Sequence, residues 1–149
     1  MAYWYALVWY WMAILFLVSL GSATLLPGGS EAYFLYKLHE SPSLIYLSLF
    51  VASLGNTIGS FINYILGKYL RDFAIKKAYF KKKSIEKATL FFKKYGFISL
   101  LLSWTPIFGD PITFVAGILR YSWYKFLAIV FMAKFVRYGV LAYLYVKFV

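Results

Sequence analysis

The chain has 149 residues, 63% hydrophobic and only 14% charged, with a formal net charge of +11. Soluble domains are nearer half apolar and about a quarter charged, so this is a single-domain polytopic membrane protein with abundant interfacial aromatic surface. No cysteine and one histidine are present, which excludes disulfides, thiolate metal sites and haem attachment, and no cofactor is expected.

Residues 3–26 are almost wholly apolar, with Tyr3, Trp4, Tyr5, Trp9, Tyr10 and Trp11 crowded at the start. Such aromatics favour the headgroup level. The stretch is long enough to span, since about 20 residues suffice. The alternative, preferred here, lays the aromatic part along the interface and lets residues 12–26 dip in as a limb that stops at Pro27. The first 36 residues contain no Lys or Arg. A cleavable signal needs a basic start, so this N-terminus is expected to be retained.

The break reads Pro27-Gly28-Gly29-Ser30-Glu31. Helix breakers are tolerated at membrane depth where the freed backbone faces protein or a cavity. A carboxylate there costs about 2.5–3.5 kcal/mol on insertion scales, so it usually has a task. Residues 32–38 beyond it cover only about 10 Å at 1.5 Å per residue and cannot cross a core of about 30 Å. A re-entrant hairpin is therefore expected. His39, between Lys37 and Glu40, reads as an exposed residue of a short polar loop.

Residues 44–67 form an unbroken apolar segment, a spanning helix. It carries Gly55-Asn56-Thr57-Ile58-Gly59, extended at four-residue steps by Ala52 and Asn63, a face that lets helix backbones approach closely. Asn56 and Asn63 lie on roughly one side. They serve either as a packing seam bonded to a neighbouring helix or as direct contacts to a substrate headgroup.

Ten of the sixteen basic residues fall between Lys68 and Lys94. A basic loop between membrane segments marks the cytoplasmic side and attracts anionic headgroups; this placement argues against nucleic acid as partner. Within it Ile85, Ala88, Phe91 or Phe92, and Tyr95 recur at helical spacing, with Ser84 as a cap and Glu86 in the first turn. A basic amphipathic helix on the membrane surface is expected, with a solvated loop as the alternative.

Residues 97–105 are a short apolar limb, followed by Pro106-Ile107-Phe108-Gly109-Asp110-Pro111 and a second limb over 112–119. This is a second expected re-entrant hairpin, entering from the side of the basic loop. Residues 122–146 then span outward and carry Lys134 and Arg137, three apart and so on one face. The expected architecture is an all-α integral membrane fold of two re-entrant helical hairpins and two to three transmembrane helices. Half-repeats of about 12–67 and 95–146 form an inverted repeat joined by segment 68–94.

Four ionisable groups, Glu31, Asp110, Lys134 and Arg137, fall at or near membrane depth. Unpaired they would together cost on the order of 10 kcal/mol, so they pair or face water. One reading is a buried ion pair holding a hairpin against a helix. The other is a polar path in which Lys134 and Arg137 bind an anionic headgroup while Glu31 and Asp110 take up a proton or gate. Arg137 is the better phosphate fork and Lys134 a point charge.

At these residues the chain resembles the DedA family of membrane proteins, the VTT or SNARE-associated Golgi protein group, and within it the short bacterial YqaA-like subgroup. The resemblance is carried by Ser22-Ala23-Thr24-Leu25-Leu26-Pro27-Gly28 with Ser30-Glu31, by Gly55-Asn56-Thr57 with Gly59 and Asn63, and by Glu86-Lys87-Ala88-Thr89 and Lys94-Tyr95-Gly96. Leu101-Leu102-Ser103-Trp104 with Pro106 and Gly109-Asp110, Ala116-Gly117, Ser122-Trp123, and Lys134 with Arg137-Tyr138 complete it. It implies a multi-pass bacterial inner-membrane protein that moves lipids or lipid carriers such as undecaprenyl phosphate across the bilayer, coupled to the proton gradient. Many relatives carry arginines three residues before and three after the second hairpin's proline; here those positions are Ser103 and Gly109, so only the acids Glu31 and Asp110 match. A non-transporting membrane scaffold is the alternative. An enzyme is not expected, because no nucleophile-and-base set is present. Whether the chain forms a homo-oligomer is open at this level.

Overall fold

The computed structural model describes residues 2–23, 29–77, 82–105 and 109–148. It is all-helical: α1 (Ala2–Ser22), α2 (Gly29–Glu40), α3 (Ile45–Lys76), α4 (Lys82–Leu101), α5 (Gly109–Ile118) and α6 (Trp123–Phe148). Short 3-10 turns, Pro42–Leu44 and Leu102–Trp104, lead into α3 and out of α4. Among the described residues three helices are long and apolar enough to cross a membrane, over Tyr3–Ser22, Pro42–Phe73 and Trp123–Phe148. With 12 and 10 residues, α2 and α5 extend about 18 and 15 Å and cannot.

Several boundaries differ from the sequence reading. Helix α1 is one unbroken rod over 21 residues, where an interfacial piece followed by a separate limb was preferred; nothing between Ala2 and Gly21 breaks a helix. Tyr3, Trp4, Tyr5, Trp9 and Tyr10 are all more than half exposed along it, as an interfacial aromatic belt requires. Helix α3 runs past residue 67 to Lys76, so Lys68, Arg71 and Lys76 ride on a helix. Lys, Arg, Leu and Ala are strong helix formers, and charge alone does not stop a helix. Helix α4 joins the basic segment to the first limb of the second break, and Ser84 lies within it instead of capping it. Its packed face is Phe92, Gly96 and Leu100, while Ala88, Phe91 and Tyr95 point outward. Lys37, His39 and Glu40 belong to the last turns of α2, not to a loop. Pro27, Gly28 and Pro106 lie outside the described residues.

The chain divides into two compact units, Met1–Gly59 with Lys134–Val149, and Ser60–Ala133. In the first, α1 and α2 form an antiparallel helical hairpin. The Ser30 N–H donates to Ser22 Oγ at 3.1 Å near the bend, and further along the Lys37 ammonium sits 3.6 Å from the Trp11 ring centroid. The core joins Met12 and Leu15 of α1, Phe34 and Leu38 of α2, Leu49 and Ala52 of α3, and Tyr138 and Ala142 of α6. Helices α1 and α3 meet backbone to backbone. A Cβ on Gly55 would lie 2.6 Å from the Phe16 carbonyl oxygen, and one on Gly59 would overlap that of Leu20.

In the second unit α4 and α5 form the hairpin, and Gly109 N–H donates to Thr105 O at 3.1 Å across its bend. Its core joins Tyr64 of α3, Phe92 and Leu100 of α4, Ala116 of α5, and Phe126, Ile129 and Val130 of α6. Here Gly67 of α3 and Gly117 of α5 make the close approach: a Cβ on Gly117 would overlap the Tyr64 carbonyl oxygen, and one on Gly67 that of Phe114. Tyr64 donates to Tyr121 O at 2.5 Å, tying the same seam to the end of α5.

These seams are the small-residue contacts by which helices associate in lipid. Gly117→Val is expected to destabilise the detergent-solubilised protein by about 1–3 kcal/mol through overpacking. Gly21→Ala, where a Cβ meets nothing within 4 Å, should leave the melting temperature unchanged or raise it. Equal losses in the two variants would show that the seam is not close-packed.

Candidate functional site

Helix α2 starts at Gly29 and carries Glu31 in its first turn. An acid there opposes the positive end of the helix dipole, and Ser22 supplies a hydroxyl acceptor to the Ser30 N–H, replacing one intrahelical bond missing at a helix start. The Glu31 carboxylate forms an ion pair with the Arg137 guanidinium of α6, and the two side chains are 16% and 13% exposed. Ser30 Oγ lies 3.5 Å from the other carboxylate oxygen. Of the pairings open in the sequence, this unit selects Glu31 with Arg137.

One residue beyond Arg137, Tyr138 is fully buried. Its hydroxyl accepts from Asn56 Nδ2 of α3 at 3.4 Å, and its ring meets Phe34 of α2 edge-on with centroids 5.1 Å apart. Asn56 is 3% exposed, and its Oδ1 has no hydrogen-bonding partner among the described residues. The group therefore joins a carboxylate, a guanidinium, an amide and a phenol from α2, α3 and α6. Ser53 and Thr57 return their hydroxyls to backbone carbonyls four residues back, both at 2.7 Å, so they satisfy themselves within α3. Lys134, one turn before Arg137, is 1% exposed.

Of the remaining candidates, Asp110, Pro111, Gly109 and Asn63 lie in the other unit and Gly29 in this one. Asp110 sits in the first turn of α5, its backbone carbonyl accepting from Thr113 Oγ1 at 2.7 Å, with Pro111 next to it in the helix. Gly109 is packed on Ser103: a Cβ there would lie 2.7 Å from the Ser103 carbonyl oxygen. Asn63 is half-buried on α3. Gly29 opens α2 with room for a side chain, its nearest neighbour being Ser22 Oγ at 3.8 Å. Among the described residues no group of three or more His, Asp or Glu could hold a metal ion.

Sequence reasoning names Tyr138 and Lys37 but gives neither a role in the site. Lys37 is 4% exposed, bonded to Glu40 Oε2 at 2.5 Å and laid over Trp11; the i,i+3 spacing of Lys37 and Glu40 was its available signal. Glu40 has its carboxyl held below the ordinary range by hydrogen bonds from Lys37 and then Tyr36, the latter at 2.6 Å. His39 is exposed, as expected, with Nδ1 3.0 Å from the Tyr145 hydroxyl.

Residues 7–147 match the VTT domain. The chain belongs to that family, also called DedA. It is 38% identical to the protein named inner membrane protein YqaA of Escherichia coli over 128 residues, which is 86% of either chain. A protein of Haemophilus influenzae with no assigned role is 34% identical over 146 residues, covering 92% of this chain and 88% of its own. No solved structure matches. Family membership and three apolar helices of spanning length make this DedA protein a membrane protein.

Breaking a buried ion pair by removing one partner leaves an uncompensated charge and costs about 3–5 kcal/mol, whereas replacing both partners with apolar groups is often nearly neutral. Arg137→Leu alone and Glu31→Leu alone should each lower stability by about that much. The double variant should lose far less than their sum, as read by melting of purified protein. Additive losses would mean that the two groups are not coupled.

Proposed function

We propose that this DedA protein carries a phosphate-bearing lipid headgroup, of the kind found on undecaprenyl phosphate, from one leaflet of the bacterial inner membrane to the other. The observation that carries the reading is the Glu31–Arg137 pair, largely shielded from solvent beside the buried amide of Asn56. Two charges are seldom kept in an apolar layer unless they serve a polar path. Two helices too short to cross are the second support: in this reading α2 and α5 are the inner limbs of two re-entrant hairpins, related as an inverted repeat.

In mechanism, the guanidinium of Arg137 is the phosphate fork and the Lys134 ammonium the second positive charge. A headgroup arriving at Arg137 competes with Glu31 for the same donors. Protonation of Glu31 frees the guanidinium, so the proton taken up and the anion bound leave the site's net charge unchanged. Asp110 plays the corresponding part in the other hairpin, and Asn56 and Asn63 supply uncharged hydrogen bonds along the path. The basic residues of 68–94 support a cytoplasmic side for that segment in this reading. The E. coli relative is named an inner membrane protein, and the same location is inferred here.

A second reading has its own support in the same pair. A carboxylate already satisfied by a guanidinium is also what a strut holding α2 against α6 would look like, and a membrane scaffold serving envelope integrity needs no more than that.

The two readings part in reconstituted vesicles. Glu31→Gln, Asp110→Asn and Arg137→Gln should each lower transbilayer headgroup movement at least tenfold in protein that stays folded. The pH gradient should accelerate the wild type and not Glu31→Gln. Full activity in all three variants would overturn the translocator reading. Wild-type protein inert towards every lipid tried, with function in cells lost on charge reversal at Lys81, Lys82 and Lys83, would favour the scaffold.

A further inference from the structure

The end of α5 departs from what its residues prefer. Tyr121 N–H donates to Ala116 O at 3.0 Å and Arg120 N–H to Gly117 O at 2.9 Å, the paired bonds of a Schellman cap, whose left-handed position is normally glycine. Here it is Arg120, with φ at 53°. A side chain at this φ carries a backbone penalty that glycine avoids. Strain that persists where glycine would remove it points to a use for the side chain.

That side chain is held in place. Arg120 Nη2 donates to both carboxylate oxygens of Asp72 on α3, at 2.7 and 2.9 Å. It also borders a cavity of about 300 Å³, together with Thr89 and Lys93 of α4, Ser122, and Lys125 in the first turn of α6. Among the described residues none that lines it is acidic, and Asp72 is already paired with Arg120. Ser122 adds a second observation: its carbonyl accepts from Phe126 N–H at 2.9 Å, so it stands at the start of α6, yet its buried Oγ makes no hydrogen bond among the described residues. The positive end of the α6 dipole thus borders the cavity beside three cations.

We propose that this cavity docks the phosphate of an anionic phospholipid headgroup at the membrane surface. Two features favour a lipid over a free anion. The cations come from three separate helix segments around one cavity, the arrangement by which basic pockets between membrane helices take headgroups. Phe91, Trp123 and Tyr124, each about 60% exposed, flank the cavity's residues in sequence on α4 and α6 and suit the headgroup–acyl boundary. Asp72 already neutralises Arg120, so Lys93 and Lys125 supply the cavity's net positive charge towards an anionic headgroup. Arg120, steered by Asp72, is the positioned donor, and the lysines are mobile point charges. The inference does not rest on the Glu31–Arg137 reading.

Native mass spectrometry of the purified full chain, titrated with phosphatidylglycerol, phosphatidylethanolamine or inorganic phosphate, tests it. Phosphatidylglycerol should bind at least fivefold tighter than phosphatidylethanolamine and far tighter than phosphate alone. Lys93→Gln with Lys125→Gln should weaken phosphatidylglycerol roughly tenfold. Arg120→Gly should also weaken it severalfold while keeping the Schellman cap, with the melting temperature unchanged or raised. Lys83→Gln with Lys87→Gln, exposed lysines of α4 that do not line the cavity, should stay within about twofold of the wild type. Equal loss in this control pair would show a diffuse basic surface and overturn the site. Phosphate alone binding as tightly as phosphatidylglycerol would overturn the lipid, and so would phosphatidylethanolamine binding equally well.

Discussion

A carboxylate largely shielded from solvent must find a cation, and for Glu31 that cation is Arg137. The pairing fixes more than charge. It sets the depth of the α2 start against α6, because the guanidinium fork has little tolerance for displacement. It also explains why the neighbouring groups are arranged as they are. Tyr138, next in the chain, is turned into the core between Phe34 and Asn56, and Ser22 and Ser30 close the bend from the other side. If the pair were absent, α2 would retain the apolar contacts of Phe34 and Leu38 but lose what holds its first turn at one level.

Where charge sets depth, glycine sets distance. In lipid, apolar side chains gain little by meeting each other, since the tails are equally apolar. Close backbone contact is what remains, and this chain places it at Gly55 and Gly59 in one unit and at Gly67 and Gly117 in the other. Polar side chains lie on the same faces: Ser53, Asn56 and Thr57 on α3, and Thr113 on α5, all at least 96% buried. Small polar groups fit a close seam and hydrogen-bond locally, so the seams that hold the helices together also carry the polarity into the interior.

Much of this was legible in the sequence because its physics is local. Apolar length marked α3 and α6, and left α1 open between one spanning rod and an interfacial piece with a separate limb. The proline and glycine breaks marked both bends, and the cost of isolated charges required acids and bases to meet. Three things were not legible, each for a physical reason. The ends of α3 and the start of α4 sit in a run of lysines, where charge signals topology but imposes no helix boundary. The choice of Arg137 as partner of Glu31 depends on how α6 is rotated against α2, which Tyr138 and Phe34 decide through contacts 104 residues apart in sequence. Lys37 reads as a surface residue by type. Its burial is made tolerable by a tryptophan face and a carboxylate, and Trp11 comes from 26 residues earlier.

The second bend shows how packing restricts chemistry. The family resemblance implies arginines on either side of the second proline, at the positions held here by Ser103 and Gly109. Neither position has room for one. Ser103 is fully buried, and the Cα of Gly109 lies so close to the Ser103 carbonyl that even a methyl group would collide with it. Closing the bend this tightly, with Gly109 N–H bonded to Thr105 O, and placing guanidinium groups on both sides of it are therefore exclusive solutions. A chain that adopts the tight bend keeps the acid of the second hairpin and must draw its positive charge from elsewhere.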